Sequence, residues 1–265
     1  MTTLVLDRVR TQDQPVARIT LPRVVRVELR KMFDTRSGFW LLASIGIAAL
    51  VSTVGTILFA PEADLTYYTF AAAIGFPMTV ILPIIAVLSI TGEWSQRSGL
   101  TTFTLVPRRR QVIAAKCLAS LLVGVVSMGF ALAVGVVGNL VGTAIAGAPL
   151  VWDVAPSHVG TIVLGSLLCL LTGTVLGVLF RSSSVALVAY FVLSLLLPTV
   201  LGLLATSQPG FADIRPWLDL NLAEAPLFDG TVDASGWAHL GATAGLWLAL
   251  PGLLGLRLLR RSEVR

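Results

Sequence analysis

Six times in 265 residues the chain runs apolar for about 20 residues or more: Phe39–Ala60, Tyr67–Ile90, Val112–Ala146, His158–Phe180, Val185–Thr206 and Ala238–Leu256. A helix rising about 1.5 Å per residue crosses ~30 Å of hydrocarbon in about 20 residues. Inside a bilayer every backbone N–H and C=O must find its partner within the segment or in a closed barrel, and runs of this length select the helix. The chain therefore reads as an all-α membrane protein with six transmembrane helices. Charged residues make up 12% of it, about half the usual soluble share. The third run is longer than a crossing requires, so it tilts or its first turns stand outside the bilayer.

An even number of crossings returns both ends to one side, and charge says which. Eight basic residues precede the first run, from Arg8 to Arg36. Arg97, Arg108, Arg109, Arg110 and Lys116 lie in or beside the second-to-third connection, Arg181 between runs four and five, and Arg257, Arg260, Arg261 and Arg265 at the end. Only Arg215 falls opposite, where the connections carry Glu62, Asp64, Asp153, Asp213, Asp219, Glu224, Asp229 and Asp233. The basic side is expected to be cytoplasmic. Orientation thus accounts for the net charge of +5, and no base-stacking platform points to nucleic acid. The opening residues, MTTLVLDRVRTQDQPVARIT, lack the apolar core of a signal peptide. The expected organisation is a cytoplasmic tail with an amphipathic helix (1–38), a six-helix membrane domain (39–257) and a basic tail (258–265).

Three polar segments stand out. In RVVRVELRKMFDTR, Val25, Leu29, Met32 and Phe33 share one helical face, while Arg23, Arg26, Arg30 and Asp34 share the other, a pattern suited to a helix lying in the headgroup layer. Segment 91–111 is too long for a tight turn and too polar to cross. Gly92 and Gly99 can break a helix there, Pro107 can start one, and EWSQRSGLTTFTL has the length of a short cytoplasmic helix. Segment 207–237 holds five carboxylates and the aromatic residues Phe211, Trp217, Phe228 and Trp237. At that length it is expected to fold over the outer mouth with short helices of its own.

Missing chemistry narrows the function. No Asp or Glu lies in any of the six runs, whereas proton-coupled transporters place ionisable groups near midplane. There is no P-loop and no selectivity-filter sequence. The stretch WAHLGATAG looks like the His-bearing helix of rhomboid intramembrane proteases, but none of the three Ser-Gly pairs has Gly two positions before its Ser. His239 and His158 read as interfacial residues, and Asn139 as helix-packing glue. The two cysteines, Cys117 and Cys169, sit singly in apolar runs and make no disulfide or metal framework.

A basic amphipathic helix, two spans, Gly92-Glu93, a Thr-rich stretch, Pro107 with Arg108–Arg110, and Lys116 at the opening of span three follow one another in this order. The order resembles the ABC-2 family of ABC-transporter permeases, the class also described as type V exporters, over about residues 22–262. The family's connection pattern E…G…T…P.sR…K is met by Glu93, Gly99, Thr101 or Thr102, Pro107, Arg109 or Arg110, and Lys116. The resemblance implies a coupling helix near Gly92–Leu105 that docks on a separate cassette ATPase, with Gly92, Glu93, Trp94, Arg97, Gly99, Thr101, Thr102, Pro107 and Arg109 in contact or support. It implies that the amphipathic helix (Arg23, Arg26, Arg30, Met32, Phe33) touches the same ATPase, and that segment 207–237 forms an extracellular gate.

Two permease chains, alike or related, would pair with two ATPase chains in a bacterial cytoplasmic membrane. ATP and magnesium would belong to the ATPase, with no cofactor and no catalysis in this chain. Spans two and five would line the pathway through Thr69, Phe76 and Thr79, then Ser194, Pro198 and Thr199, a mostly apolar lining suited to an amphipathic or lipophilic cargo. Pro77, Pro83 and Pro198 are candidate kinks. The competing readings are a membrane scaffold without cargo and a secondary transporter.

Overall fold

The computed structural model describes residues 20–95 and 109–261. Among them every regular element is helical, and six helices are long and apolar enough to cross a membrane: Arg36–Phe59, Tyr67–Gly92, Gln111–Ala146, Pro156–Phe180, Ser183–Ser207 and Ala234–Leu258. The chain is an all-α multi-pass membrane protein, and these helices are spans one to six. Span three continues a helix that starts at Arg109, 38 residues in all. The amphipathic helix, Leu21–Asp34, precedes span one and is separated from it by Thr35, whose side chain caps span one by accepting from the Gly38 amide. One end of the bundle carries this helix, the four-to-five turn and the chain terminus, and is basic. The other carries the acidic connections.

Spans two, three and four form the core. Lipid gives apolar side chains no reason to leave it, so association depends on close fit, which small residues permit. Span three presents Gly138 and Gly142, four residues apart, around the fully buried Phe70 of span two; a Cβ at either would lie 2.8 Å from that ring. Span four presents Gly173 and Gly177 at the same spacing to the opposite stretch of span two. There a Cβ on Gly173 would sit 2.5 Å from the Pro83 carbonyl oxygen, and one on Gly177 3.1 Å from Ile90. Ile45, Ala49, Ile74, Met78, Leu82, Ile85, Met128 and Leu170 fill the space between. Spans one, five and six pack outside and keep most of their apolar surface exposed.

Prolines set the irregularities. Pro83 lies inside span two and cannot donate to the carbonyl of Thr79 one turn earlier. That oxygen instead accepts from the Tyr190 hydroxyl of span five at 2.5 Å. Spans five and six each contain a widened π turn, Val192–Leu196 and Gly245–Ala249, and in each case a proline follows at once: Pro198 and Pro251. A wider turn relieves the collision of the proline ring with the carbonyl four residues before it.

Segment 207–237 folds, as its length requires. Its main element is a helix, Leu220–Asp229, capped by Asp219, whose Oδ1 accepts from the Leu222 amide at 3.1 Å. The Asp219 Oδ2 takes the Arg215 guanidinium at 3.1 Å. The far end stops at Gly230, left-handed at φ 70° and pressed on the His158 ring, whose Nε2 meets the Phe228 carbonyl oxygen at 2.7 Å. Leu220, Ala223, Glu224 and Leu227 face inward.

Candidate functional site

At the basic end three elements meet on one ammonium. Lys116, early in span three, donates to Glu28 Oε2 at 2.6 Å and to the Ser89 carbonyl of span two at 3.1 Å. Both charged side chains are about 95% buried. Lys31 holds the other carboxylate oxygen of Glu28 at 2.8 Å. Burial works to raise the Glu28 pKa, yet the Lys116 and Lys31 ammoniums outweigh it and hold the carboxyl below its usual range. A buried ion pair adds little net stability relative to an apolar pair, but loss of one partner is costly, so the joint fixes geometry more than it adds stability. Two residues beyond Ser89, Thr91 bonds Ser183 of span five at 2.7 Å, so the start of span five joins the same end of span two.

The joint corrects the reading of the amphipathic helix. Arg23, Arg26, Arg30 and Asp34 are exposed as their spacing predicts, with Arg30 pairing Asp34 at 2.8 Å. The inward face, however, is Val24 and Glu28, flanked by the half-buried Val25, Leu29 and Met32, while Phe33 is 60% exposed. The inward face is rotated toward Glu28 because Lys116 sits opposite.

A second correction concerns Gly92. It does not break the helix: span two runs on to Ser95, taking the backbone of Glu93 and Trp94 with it. A mid-helix glycine costs only about 0.5–1 kcal/mol relative to alanine, and the bonds at Thr91 and Ser89 hold this turn in place. Arg109 begins the helix of span three. Arg97, Gly99, Thr101, Thr102, Pro107 and the rest of the expected coupling helix lie outside the described residues. The ends of that connection are both helical, and both are tied to the Lys116 joint.

The residues expected along a pathway divide. Phe76 is 78% exposed on the outer face of span two, Thr79 returns its hydroxyl to the Phe76 carbonyl, and Thr69 bonds Thr66. On span five Thr199 is exposed and lies in a shallow apolar groove with Val188, Phe191, Val192, Leu195 and Leu196, whereas Ser194 and Pro198 are half-buried. At mid-depth the two spans are joined by the Tyr190–Thr79 bond, which no spacing signalled because it depends on the carbonyl that Pro83 frees.

Mid-bundle lies a cluster that sequence reading missed. The helix Leu220–Asp229 carries Glu224 inward to span four, where its Oε2 accepts from the Cys169 thiol at 3.4 Å and its Oε1 is buried without a partner. Cys169 lies roughly 20 Å from the acidic end of span four, near its middle. Glu224 was counted with the acidic outer loops, and no span contains a carboxylate. Folding of the connection back into the bundle nevertheless brings one to membrane depth. Burial pushes its pKa up to about 8, against a smaller downward pull from the thiol. Near the middle of span six Trp247 donates to the Leu218 carbonyl at 2.7 Å, and farther out His239 meets the Trp217 ring edge-on at 4.5 Å. Asn139, read as glue between helices, donates instead to the Val151 carbonyl of the three-to-four connection at 3.0 Å.

The chain matches no protein-family model, and no characterised protein matches it in sequence.

Proposed function

We propose that this chain is the permease subunit of an ATP-driven exporter, worked from its basic, cytoplasmic end by a separate cassette ATPase in a bacterial cytoplasmic membrane. The observation that carries the reading is the Lys116 joint. It ties the amphipathic helix, the end of span two and the start of span three into one body on either side of the 96–108 connection. A push on that connection would move the three elements together. The Thr91–Ser183 bond at the end of span two and the Tyr190–Thr79 bond at mid-depth would carry the motion to span five.

Glu93 and Trp94 would start the docking segment, with Arg97, Gly99, Thr101, Thr102, Pro107 and Arg109 completing it. Arg23, Arg26 and Arg30, which are exposed, would face the ATPase and the lipid headgroups. Two copies of the chain would pair across the exposed faces of spans two and five. Such a lining, with Phe76, Phe191 and Leu195, suits an amphipathic or lipophilic cargo. ATP and magnesium would be held by the ATPase.

The test is expression of this chain with a tag in its native host, followed by purification and ATPase assay of the recovered material in lipid nanodiscs. The reading expects equal recovery of the two subunits, and loss of cargo-stimulated ATP hydrolysis on Glu93→Ala with membrane insertion intact. Recovery of the chain without any ATPase, or full stimulation in the Glu93→Ala protein, would overturn it.

A further inference from the structure

We infer that Glu224 is a proton-binding site that latches the helix Leu220–Asp229 into the bundle: the helix seats when the carboxyl is protonated and is released when the proton leaves. The argument begins with an unsatisfied group. A buried carboxylate needs a cation or several strong donors, and Glu224 has neither. Its one hydrogen bond among the described residues comes from a thiol, a weak donor, and its second oxygen has no partner. A protonated carboxyl carries no charge to desolvate and tolerates this setting; a carboxylate does not.

The groups around it supply no counter-charge. Span four contributes Cys169, and span five contributes Tyr190, whose hydroxyl is already committed to the Thr79 carbonyl. On the outer half of span six the titratable group is His239, held against Trp217, while Arg257 stands at the basic end. On the approach to the helix, Arg215 is paired with Asp219. His158, at the far end, is bonded to the Phe228 carbonyl.

The segment is built to move as a unit. Its fixings are few: at one end His158 Nε2 meets the Phe228 carbonyl, and at the other Asp219 pairs with Arg215 while Trp247 and Asn221 donate to the Leu218 and Leu193 carbonyls. Between them the helix seats on Gly165, where the Phe228 ring occupies the space a Cβ would fill, and on Leu168, Val232 and Leu240. Glu224 is the titratable side chain it carries inward.

The sign follows from the direction of the shift. Seating raises the Glu224 pKa from 4.5 to about 8. Seating is therefore strongest below 4.5, weakens as pH rises toward about 8, and weakens no further once the carboxyl is ionised in both states. Well inside that window the ratio of seated to released helix falls roughly tenfold per pH unit, and about 50-fold from pH 6 to pH 8.

The test measures position and needs neither ATP nor cargo, so it fails or succeeds independently of the exporter reading. Spin labels go on Ala225→Cys in this helix and Leu58→Cys at the acidic end of span one, both exposed. Cys117→Ser and Cys169→Ser remove the native thiols and leave a hydroxyl donor beside Glu224. In lipid nanodiscs the distance distribution is expected to be single at pH 6 and to gain a second, displaced population by pH 9. With Glu224→Gln it should stay single throughout. An unchanged distribution with Glu224 in place, or the same shift in the Gln protein, would overturn the proposal.

The unmodified chain gives a second reading. Its infrared spectrum should show a protonated-carboxyl band at pH 6 that fades by pH 9. Absence of a band titrating in that range would overturn the proposal whether or not the variants fold.

Discussion

At the scale of single residues, the most informative side chain is Lys116. Its charge is held by Glu28 in a place water does not reach. Removing one partner of a buried pair costs about 3–5 kcal/mol when the other is left unpaired; Lys31 still holds Glu28, so Lys116→Met is expected to cost less than that, with a clear loss of stability. The double change Glu28→Gln with Lys116→Met should recover most of that loss. Thermal unfolding in detergent, read by size-exclusion fluorescence, checks both; equal losses for the single and double variants would show that the joint contributes only bulk. The pH dependence has a defined sign. The folded Glu28 carboxyl is held below its usual 4.5, so its contribution is complete above 4.5 and disappears as pH falls through the lowered value. The amphipathic helix should consequently loosen in acid, visible as faster proteolysis near Thr35 well below pH 4.5 than at pH 7. Glu224 titrates in the opposite sense, and the two ends of the molecule are expected to respond to pH in opposite directions.

At the scale of elements, span two is the shaft on which spans three and four pack through paired glycines. Gly173→Ala would push a methyl carbon to within 2.5 Å of the Pro83 carbonyl oxygen, a backbone atom that cannot rotate away. A loss of about 1–3 kcal/mol is expected from such overpacking. Gly241 and Gly245 in span six have the same four-residue spacing, but a Cβ at either meets nothing within 4 Å. Gly241→Ala should therefore leave the melting temperature of the isolated chain nearly unchanged. Tyr190→Phe removes the donor to the Thr79 carbonyl. Hydrogen bonds between membrane helices are worth about 0.6–2 kcal/mol, so a small stability loss with normal insertion is expected. A larger effect on ATP-driven turnover than on stability would support a coupling role for the bond between spans two and five.

At the scale of the whole molecule, the asymmetry of charge makes a topological prediction. A reporter enzyme active only outside the cytoplasm, fused after Pro61 or after Thr231, should be active. The same reporter after Arg265 should be silent, and a cytoplasmic fluorescent reporter there should be bright. The opposite pattern would invert the molecule and remove the basis for an ATPase docking at its basic end. The Lys116 joint lies at the corner beside the 96–108 connection, and Glu224 lies on the helix folded in from the other mouth. An exporter built this way would receive force at one end and gate at the other, with spans two, four and five between them.

By itself the sequence determined the number of crossings and their ends to within a few residues, because a segment's own hydropathy decides whether its backbone can lie in hydrocarbon. It also placed Arg23, Arg26, Arg30 and Asp34 of the amphipathic helix toward solvent, since 100° spacing gathers them on one face. What partners those faces find is a property of packing, and only the tertiary structure decided it. Identical glycine spacings bind span two in one place and touch nothing in another. Pro83 could be read as a kink, but not that Tyr190 would take the carbonyl it frees. Glu28 looked like one more charge on a surface helix until Lys116 stood opposite it. Glu224 looked like part of an exposed acidic loop until that loop folded inward. Both carboxylates lie outside the spans, so no hydropathy profile could foretell that each is buried. Burial depends on where a connecting segment turns, and local composition does not encode that turn.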